Sequence, residues 1–139
     1  MRISEAMHSG VRWISPDTDL RTAARIMKDD DIGALPVGEN DRLVGMVTDR
    51  DMALRAFANG HDVSSLTVRD VMTNEIVLCR TSESIEDAIH LMEEKKIRRL
   101  PVINEDKRMV GMLSLGDISH CSSREMTGEL LKAVSDHHA

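Results

Sequence analysis

Two pairs of polar residues, each predicted to lie where a strand gives way to a helix, have the spacing to bind a hydroxylated ligand. Thr48 is followed three residues later by Asp51, and Ser114 is followed three residues later by Asp117. This spacing predicts that the hydroxyl and the carboxylate of each pair project from the same first helical turn. Because one carboxylate can accept hydrogen bonds from both hydroxyls of a ribose, each pair is a candidate sugar-binding site.

The same spacing has a second interpretation, which needs no ligand. A Ser or Thr followed three residues later by an acidic residue is typical of a helix capping box, which adds about 0.5 to 2 kcal/mol of stability. The two interpretations are compatible, since a cap also holds the hydroxyl still.

Basic residues in the second half of the chain predict a contact with phosphate. Arg98 and Arg99 directly precede a predicted strand, whereas the equivalent residues of the first half, Gly33 and Ala34, carry no charge. The planar guanidinium groups of arginine fit phosphate oxygens. Arg50, inside the first polar pair, is a third candidate. The alternative is that Arg98 and Arg99 form weak surface ion pairs, with Asp29, Asp30 or Glu94 as partners.

These candidates belong to a pattern that occurs twice in the 139-residue chain. Leu35-Pro36-Val37 returns as Leu100-Pro101-Val102, and the stretch 43–51 returns as 109–117. A repeat that covers this much of a short chain predicts two copies of one small unit, packed around an approximate twofold axis.

Each copy predicts the order strand, helix, strand, strand, helix, and therefore an α+β fold. Helical spacing of apolar residues predicts the first helix of both copies, through Leu20, Ala23, Ala24 and Met27 and through Ile85, Ala88, Ile89 and Met92. Polar turns at 38–42 and 104–108 predict hairpins. A short strand at 11–14 or 76–79 precedes each first helix. A second helix follows each hairpin, carrying Met52, Leu54 and Phe57 in the first copy.

The chain is predicted to divide into residues 1–62, 63–125 and a C-terminal extension, 126–139. The best linker is the polar stretch 59–65. Within the extension, Thr127 to Val134 predicts a short helix with Leu130, Leu131 and Val134 on one side. Because a copy of this size buries too little surface to be comfortably stable alone, we expect the copies to form one compact module.

Composition excludes several classes of function. The formal charge of −6 argues against nonspecific binding to nucleic acid or to an anionic membrane. No apolar run reaches the length of a membrane span, the amino terminus has no apolar signal region, and the two cysteines are isolated. No nucleophile with an activating base and no metal-ligand spacing is found. We expect a cytoplasmic protein that is not an enzyme and has no nucleic-acid, membrane or metal partner.

The doubled pattern resembles a known family. Leu-Pro-Val, a charged turn and Val-Gly-Met-(Val/Leu)-(Thr/Ser)-x-x-Asp are similar to a tandem pair of CBS domains, the Bateman module, over roughly residues 1–122. The resemblance is to the stand-alone bacterial kind, without an attached catalytic or transport domain. It implies a regulatory, energy-sensing module that binds an adenosine-containing ligand between the two CBS units and signals through a homodimer to a downstream protein. The implied ligands are AMP, ADP, ATP, NAD or S-adenosylmethionine, and no cofactor is obligatory.

The resemblance also assigns roles to residues. It implies that Asp51 and Asp117 bind ribose with Thr48 and Ser114 beside them. Phosphate contacts are expected from the arginines named above. The base is expected against apolar strand ends, at Leu35, Pro36, Ile76, Val77 and Pro101, although these positions are also ordinary core residues. The competing hypothesis is a ligand-free dimerisation or scaffold protein, in which the two polar pairs serve only as caps.

Overall fold

The computed structural model describes residues 1–10, 12–40 and 42–136. Its strands are β1 His8–Ser9, β2 Ala34–Glu39, β3 Arg42–Thr48, β4 Cys79–Arg80, β5 Arg99–Ile103 and β6 Met109–Ser114. Its helices are α1 Ile3–Ala6, α2 Leu20–Asp30, α3 Asp49–Asp51, α4 Val68–Val71, α5 Ile85–Lys95, α6 Leu115–Cys121 and α7 Arg124–Ser135. A π-helical segment, Met52–Phe57, continues α3, and a 3-10 turn spans Val63–Ser65. The mixture of helices and strands confirms the predicted α+β class.

The chain divides into two compact units. Unit 1 consists of Met1–Val11 with Val77–Ala139, and unit 2 consists of Arg12–Ile76. These units are cut differently from the sequence copies 1–62 and 63–125. The reason is that α1, at the start of the first copy, packs in unit 1 with the second copy, while α4, at the start of the second copy, packs in unit 2 with the first copy. Each unit therefore contains the opening helix of the other copy.

Unit 1 contains a four-stranded sheet with the order β1-β6-β5-β4. β5 and β6 form the predicted hairpin, with Arg99 opposite Ser114, and β4 runs parallel to β5. β1 pairs antiparallel with β6 and places Ser9 opposite Gly111. A Cβ atom at Gly111 would collide with the carbonyl oxygen of His8, so the absence of a side chain there admits β1 to the sheet.

Helices α5, α6 and α7 contribute to the core of unit 1. The predicted apolar stripe of α5 is buried at all four positions, Ile85, Ala88, Ile89 and Met92. The C-terminal extension is a longer helix than predicted, and its Leu130 and Val134 are fully buried in this same core. Leu131 is 50% exposed, so it does not share the burial of Leu130 and Val134. Residues 130 and 134 differ by about 40° around the helix axis, whereas residue 131 lies about 100° from residue 130, at the edge of the buried face.

Unit 2 repeats this arrangement in reduced form. β2 and β3 form a hairpin with Ala34 opposite Thr48. Single bridges take the place of the outer strands, with Ile14 parallel to Val37 and Met46 antiparallel to Thr73. Asp41, in the predicted turn, lies outside the described residues, as does Val11 of the predicted first strand.

Three details of the predicted elements were wrong, namely the place of Ala24 on the apolar stripe and the two short strands predicted near residue 14 and at 76–79. In α2, Leu20, Ala23 and Met27 are buried but Ala24 is exposed. In the next helix the core residues are Met52 and Ala56, one turn apart, while Leu54 and Phe57 are 48% and 70% exposed. Near residue 14 only a single bridge forms, and β4 begins at Cys79, so that 76–78 belong to no strand. No described helix has the length and apolarity needed to cross a membrane.

Candidate functional site

The Ser114–Asp117 pair lies at the junction of β6 and α6 in unit 1. The Asp117 backbone N–H donates to Ser114 Oγ at 3.1 Å, and the Ser114 N–H donates to Asp117 Oδ2 at 2.8 Å. The remaining carboxylate oxygen, Oδ1, lies 2.7 Å from Nε2 of His8 in β1. Asp117 is only 8% exposed, while the His8 side chain is 77% exposed. The carboxylate is therefore fixed by the cap on one oxygen and covered by a solvent-facing imidazole on the other.

The Thr48–Asp51 pair has the same geometry in unit 2. Asp51 N–H donates to Thr48 Oγ1 at 3.0 Å, and Thr48 N–H donates to Asp51 Oδ2 at 2.9 Å. Asp51 Oδ1 lies 3.8 Å from Nε of Arg55. Arg55 is held there by two hydrogen bonds, from Nη1 to the carbonyl oxygens of Val71 and Met72, at 3.2 and 3.1 Å.

Both pairs are thus capping boxes, as the second interpretation of their spacing predicted. The cap by itself is not diagnostic of a site, because Thr67–Asp70 and Ser84–Asp87 form the same box at other helix starts. Two features distinguish the candidate carboxylates. They are more buried than Asp70 and Asp87, which are exposed, and each turns its second oxygen toward a cationic or potentially cationic side chain.

Arg98 and Arg99 lie at the same junction as Ser114. The backbone carbonyl of Arg98 accepts a hydrogen bond from Leu115 N–H at 2.8 Å, and Arg99 is paired with Ser114 across the hairpin. Both arginines are exposed, and within the described residues neither forms an ion pair. Of the predicted alternative partners, Glu94 lies in the same unit and forms no ion pair with any described residue. Within unit 2, Asp30 Oδ2 lies 3.7 Å from Nε of Arg12.

The other predicted site residues range from exposed to fully buried. Arg50 is exposed on α3, beside Asp51. Leu35 has no exposed surface and packs in the core of unit 2, and Pro36 and Pro101 are also buried. Ile76 and Val77 are half-buried and therefore more accessible. Two cavities, of about 260 and 150 Å³, are lined by none of the predicted site residues.

Sequence reasoning missed His8 and Arg55. A signal for Arg55 was present, because it follows Asp51 by four residues and so faces it on a helix. No signal was present for His8, which reaches Asp117 only because β1 pairs with a strand more than half the chain away.

The two thiols are poor candidates for chemistry. Burial, followed by the nearby charge of Glu83, raises the pKa of Cys79 to about 12. Burial, followed by the charge of Asp117, also raises the pKa of Cys121. Both groups are therefore protonated at neutral pH and weak as nucleophiles or metal ligands. Across 1–10, 12–40 and 42–136, no group of three or more His, Cys, Asp or Glu side chains is placed to hold a metal ion.

Comparison with known proteins shows the family. The family model for the CBS domain matches residues 3–56 and 68–124. The CBS domain-containing protein YhcV of Bacillus subtilis (strain 168) is 39% identical over 134 residues, which cover 96% of this chain and 94% of YhcV. The crystal structure of Hypoxic Response Protein I with two coordinated zinc ions is 35% identical, with a TM-score of 0.79, and covers 88% of this chain and 100% of its own. The crystal structure of CBSX2 in complex with AMP is 29% identical, with a TM-score of 0.74, covering 86% and 93%. The repeated family match and the near full-length similarity to YhcV show that this chain belongs to the CBS-domain family, as a tandem pair of CBS domains.

Proposed function

We propose that the chain is a regulatory module that senses an adenine nucleotide, AMP, ATP or NAD, and signals through a homodimer. The observation that carries this proposal is the surroundings of Asp117. Its carboxylate is fixed by a cap, and Arg98 and Arg99, which form no ion pair with any described residue, lie at the same strand-to-helix junction. The AMP complex of CBSX2, a structure of the same family, supports the choice of ligand class.

The ribose is bound by the carboxylates. In unit 1 the two ribose hydroxyls donate to Asp117 Oδ1 and displace His8, while Oδ2 keeps its hydrogen bond from Ser114 N–H. Because the cap fixes the carboxylate before the ligand arrives, little conformational entropy is lost on binding. Thr48 and Asp51 perform the same role in unit 2, where Arg55 is the side chain to be displaced.

The two sites differ in the side chains that can bind phosphate. Arg98 and Arg99 supply two planar donors beside the unit 1 carboxylate, whereas the equivalent positions in unit 2 are Gly33 and Ala34. Arg50 is the phosphate candidate in unit 2. We therefore assign the tighter nucleotide site to unit 1. The base contacts there come from accessible apolar residues such as Val77, and from Ile76 in unit 2.

Sensing requires that the ligand bind two states of the homodimer with different affinity, because a ligand shifts a conformational equilibrium only by that difference. The cytoplasmic location, the downstream protein partner and the lack of nucleic-acid or membrane partners stay predictions from the sequence.

One observation favours the ligand-free scaffold as the second candidate. Both capping boxes are complete without a ligand, and both second carboxylate oxygens already face a partner side chain. In that function the aspartates matter only for helix stability.

Thermal unfolding in the presence of AMP, ATP, NAD and S-adenosylmethionine separates the two functions. A ligand at 100 times its dissociation constant is expected to stabilise the protein by about 2.7 kcal/mol. Asp117→Asn is expected to abolish most of this shift and Asp51→Asn part of it. Asparagine keeps an oxygen for the cap, but it loses the charge and replaces the oxygen that accepts from the ribose with an amide NH2 group, which only donates.

The matched controls are Asp70→Asn and Asp87→Asn, which change the same capping box at helix starts that the proposal does not use. Both controls should retain the full ligand-dependent shift. A wild-type protein that none of the four ligands stabilises would establish the scaffold function instead.

Substitution of His8 is expected to strengthen ligand binding modestly, whereas substitution of Asp117 weakens it. His8→Ala is expected to tighten AMP binding to unit 1 about two- to fivefold, because the imidazole occupies the oxygen that the ribose needs, and a contact made by a solvent-exposed imidazole is weak. Calorimetric titration in an Asp51→Asn background would isolate the unit 1 site. His120→Ala, an exposed histidine on α6, is the control and should leave the affinity unchanged. Weaker binding after His8→Ala would show that His8 contacts the ligand rather than competing with it.

A further inference from the structure

The carboxylates of the two candidate sites are covered by side chains of different chemistry. Asp117 Oδ1 lies 2.7 Å from Nε2 of His8, and Asp51 Oδ1 lies 3.8 Å from Nε of Arg55. Arginine carries its positive charge at every pH that a cell experiences, whereas histidine gains or loses its charge between about pH 5 and 8. The cover of unit 1 can therefore change its charge, and the cover of unit 2 cannot.

The repeat copies neither cover into the other unit. The position that corresponds to His8 is Thr73 in unit 2, and a threonine hydroxyl does not ionise near neutral pH. The position that corresponds to Arg55 is Cys121 in unit 1. Burial, followed by the charge of Asp117, raises the pKa of Cys121, so this thiol stays neutral at neutral pH. The two sites therefore differ in the titratable groups beside their carboxylates.

His8 is placed so that it can leave Asp117 without disturbing the cap. It belongs to β1, a two-residue strand at the edge of the sheet, and its side chain is 77% exposed. Gly10, which follows β1, has a φ of 71°, and a Cβ atom there would meet no other atom within 4 Å. Asp117 is held independently, because the Ser114 N–H donates to its Oδ2 at 2.8 Å. The imidazole can therefore turn into solvent while the carboxylate keeps its position.

Among the described residues, Asp117 is the ionisable group in contact with the imidazole, although others lie on the elements around it. The neighbouring strand β6 contains no ionisable side chain and places Met112 opposite His8. On α1, Glu5 accepts a hydrogen bond from the backbone N–H of Arg2. The other ionisable groups near this junction are His120 and Cys121 on α6, Arg98 and Arg99 beside Ser114, and Glu86 and the Met1 amino group, whose charges act on Cys121. A variant that changes His8 alone leaves all of these groups in place.

We infer that protonation of His8 closes the ribose site of unit 1, so that acidification weakens nucleotide binding to unit 1 and not to unit 2. An imidazolium forms a charge-assisted pair with the Asp117 carboxylate, which is stronger than the hydrogen bond from a neutral imidazole. The ribose hydroxyls have to displace that stronger pair at low pH. Ligand binding therefore releases protons from His8 to the solvent, and by linkage the affinity falls as the pH falls. This inference rests on the proposed function, because it concerns the regulation of the same ribose contact.

Calorimetric titration with adenosine at about pH 8 and about pH 5.5 tests the inference, because histidine changes its charge between these values. Adenosine contains the ribose but has neither a phosphate to attract an imidazolium nor a group of its own that ionises in this range. In the Asp51→Asn background, which isolates unit 1, the dissociation constant is expected to rise about three- to tenfold at the lower pH, the difference between a neutral and a charged hydrogen bond. In the Asp117→Asn background, which isolates unit 2, it is expected to change by less than about twofold.

His8→Gln and His120→Gln are the matched variants, each made in the Asp51→Asn parent. Glutamine can donate a hydrogen bond from its amide but does not ionise, so His8→Gln should reduce the pH effect to less than about twofold. His120 is an exposed histidine on α6, and its substitution should leave the pH effect at about three- to tenfold. The same titrations in two buffers of different ionisation enthalpy should show proton release in the parent and less release in His8→Gln.

Titration with AMP separates this inference from the proposed function. The phosphate of AMP also changes its charge at about pH 6, so the parent is compared with His8→Gln at the lower pH alone, where His8→Gln should bind AMP more tightly. The inference is overturned if unit 1 binds adenosine equally well at both pH values, if acidification strengthens that binding, if His8→Gln keeps the full effect, or if His8→Gln weakens AMP binding at the lower pH. If neither adenosine nor AMP binds at either pH, the proposed function fails, and this inference fails with it.

Discussion

Leu130→Ala is expected to lower the free energy of unfolding by about 2 to 5 kcal/mol, the usual cost of removing a buried leucine side chain and leaving a cavity. Leu130 has no exposed surface and packs with the residues of α5 and α6 in the core of unit 1. Urea denaturation followed by far-UV circular dichroism would measure the change, provided that the slope of the transition is compared as well as its midpoint.

Leu131→Ala is the matched control, because it removes the same atoms from the next residue of the same helix. Leu131 is half exposed, so its substitution is expected to change the free energy of unfolding by no more than about 0.5 kcal/mol. Equal losses for the two variants would mean that α7 is not docked on unit 1 through the Leu130 face.

The comparison of Leu130 with Leu131 also tests whether α7 belongs to the core of unit 1. The family match ends at residue 124, and α7 begins there. A sequence division that ends the second copy at 125 treats the rest as an extension. The burial of Leu130 and Val134 instead makes α7 a part of the unit 1 core, and a variant without it would expose Ile85, Ile89 and Ile118.

The elements that the sequence predicts well are those defined by local pattern. Both hairpins, the buried stripe of α5 and both capping boxes follow from residue types a few positions apart. Repetition strengthens each of these predictions, because the same pattern has to work twice. The sequence predicts a helix that carries Met52, Leu54 and Phe57, but apolar character alone does not say which side of that helix is covered.

What could not be predicted depends on contacts between distant parts of the chain. The exchange of opening helices between the units, and the place of β1 beside β6, follow from packing that no local pattern encodes. The residues that face the carboxylates differ for the same reason. At the repeated positions His8 corresponds to Thr73, and Arg55 corresponds to Cys121, so the two sites cover their aspartates from different directions.

Replacing both Arg98 and Arg99 with alanine is expected to weaken AMP binding to unit 1 about 10- to 100-fold, a loss of about 1.4 to 2.7 kcal/mol. This is close to the value of one hydrogen bond to a charged group, because both arginines are exposed and solvent screens their contacts with phosphate. Adenosine has the ribose and base of AMP but no phosphate. Its affinity should therefore change little in the same variant. The measurement is calorimetric titration of both ligands in the Asp51→Asn background, which isolates the unit 1 site.

Arg80→Ala is the control for this experiment, because it removes an exposed arginine from a neighbouring strand of the same sheet. It should leave the preference for AMP over adenosine intact. Equal weakening of both ligands by the Arg98 and Arg99 substitutions would indicate damage to the hairpin, since Arg99 is paired with Ser114 in the strand that carries the cap. Loss of AMP affinity without loss of adenosine affinity would indicate that the two arginines bind the phosphate and not the sugar. The second copy would then supply positive charge at the positions where the first copy has the uncharged residues Gly33 and Ala34.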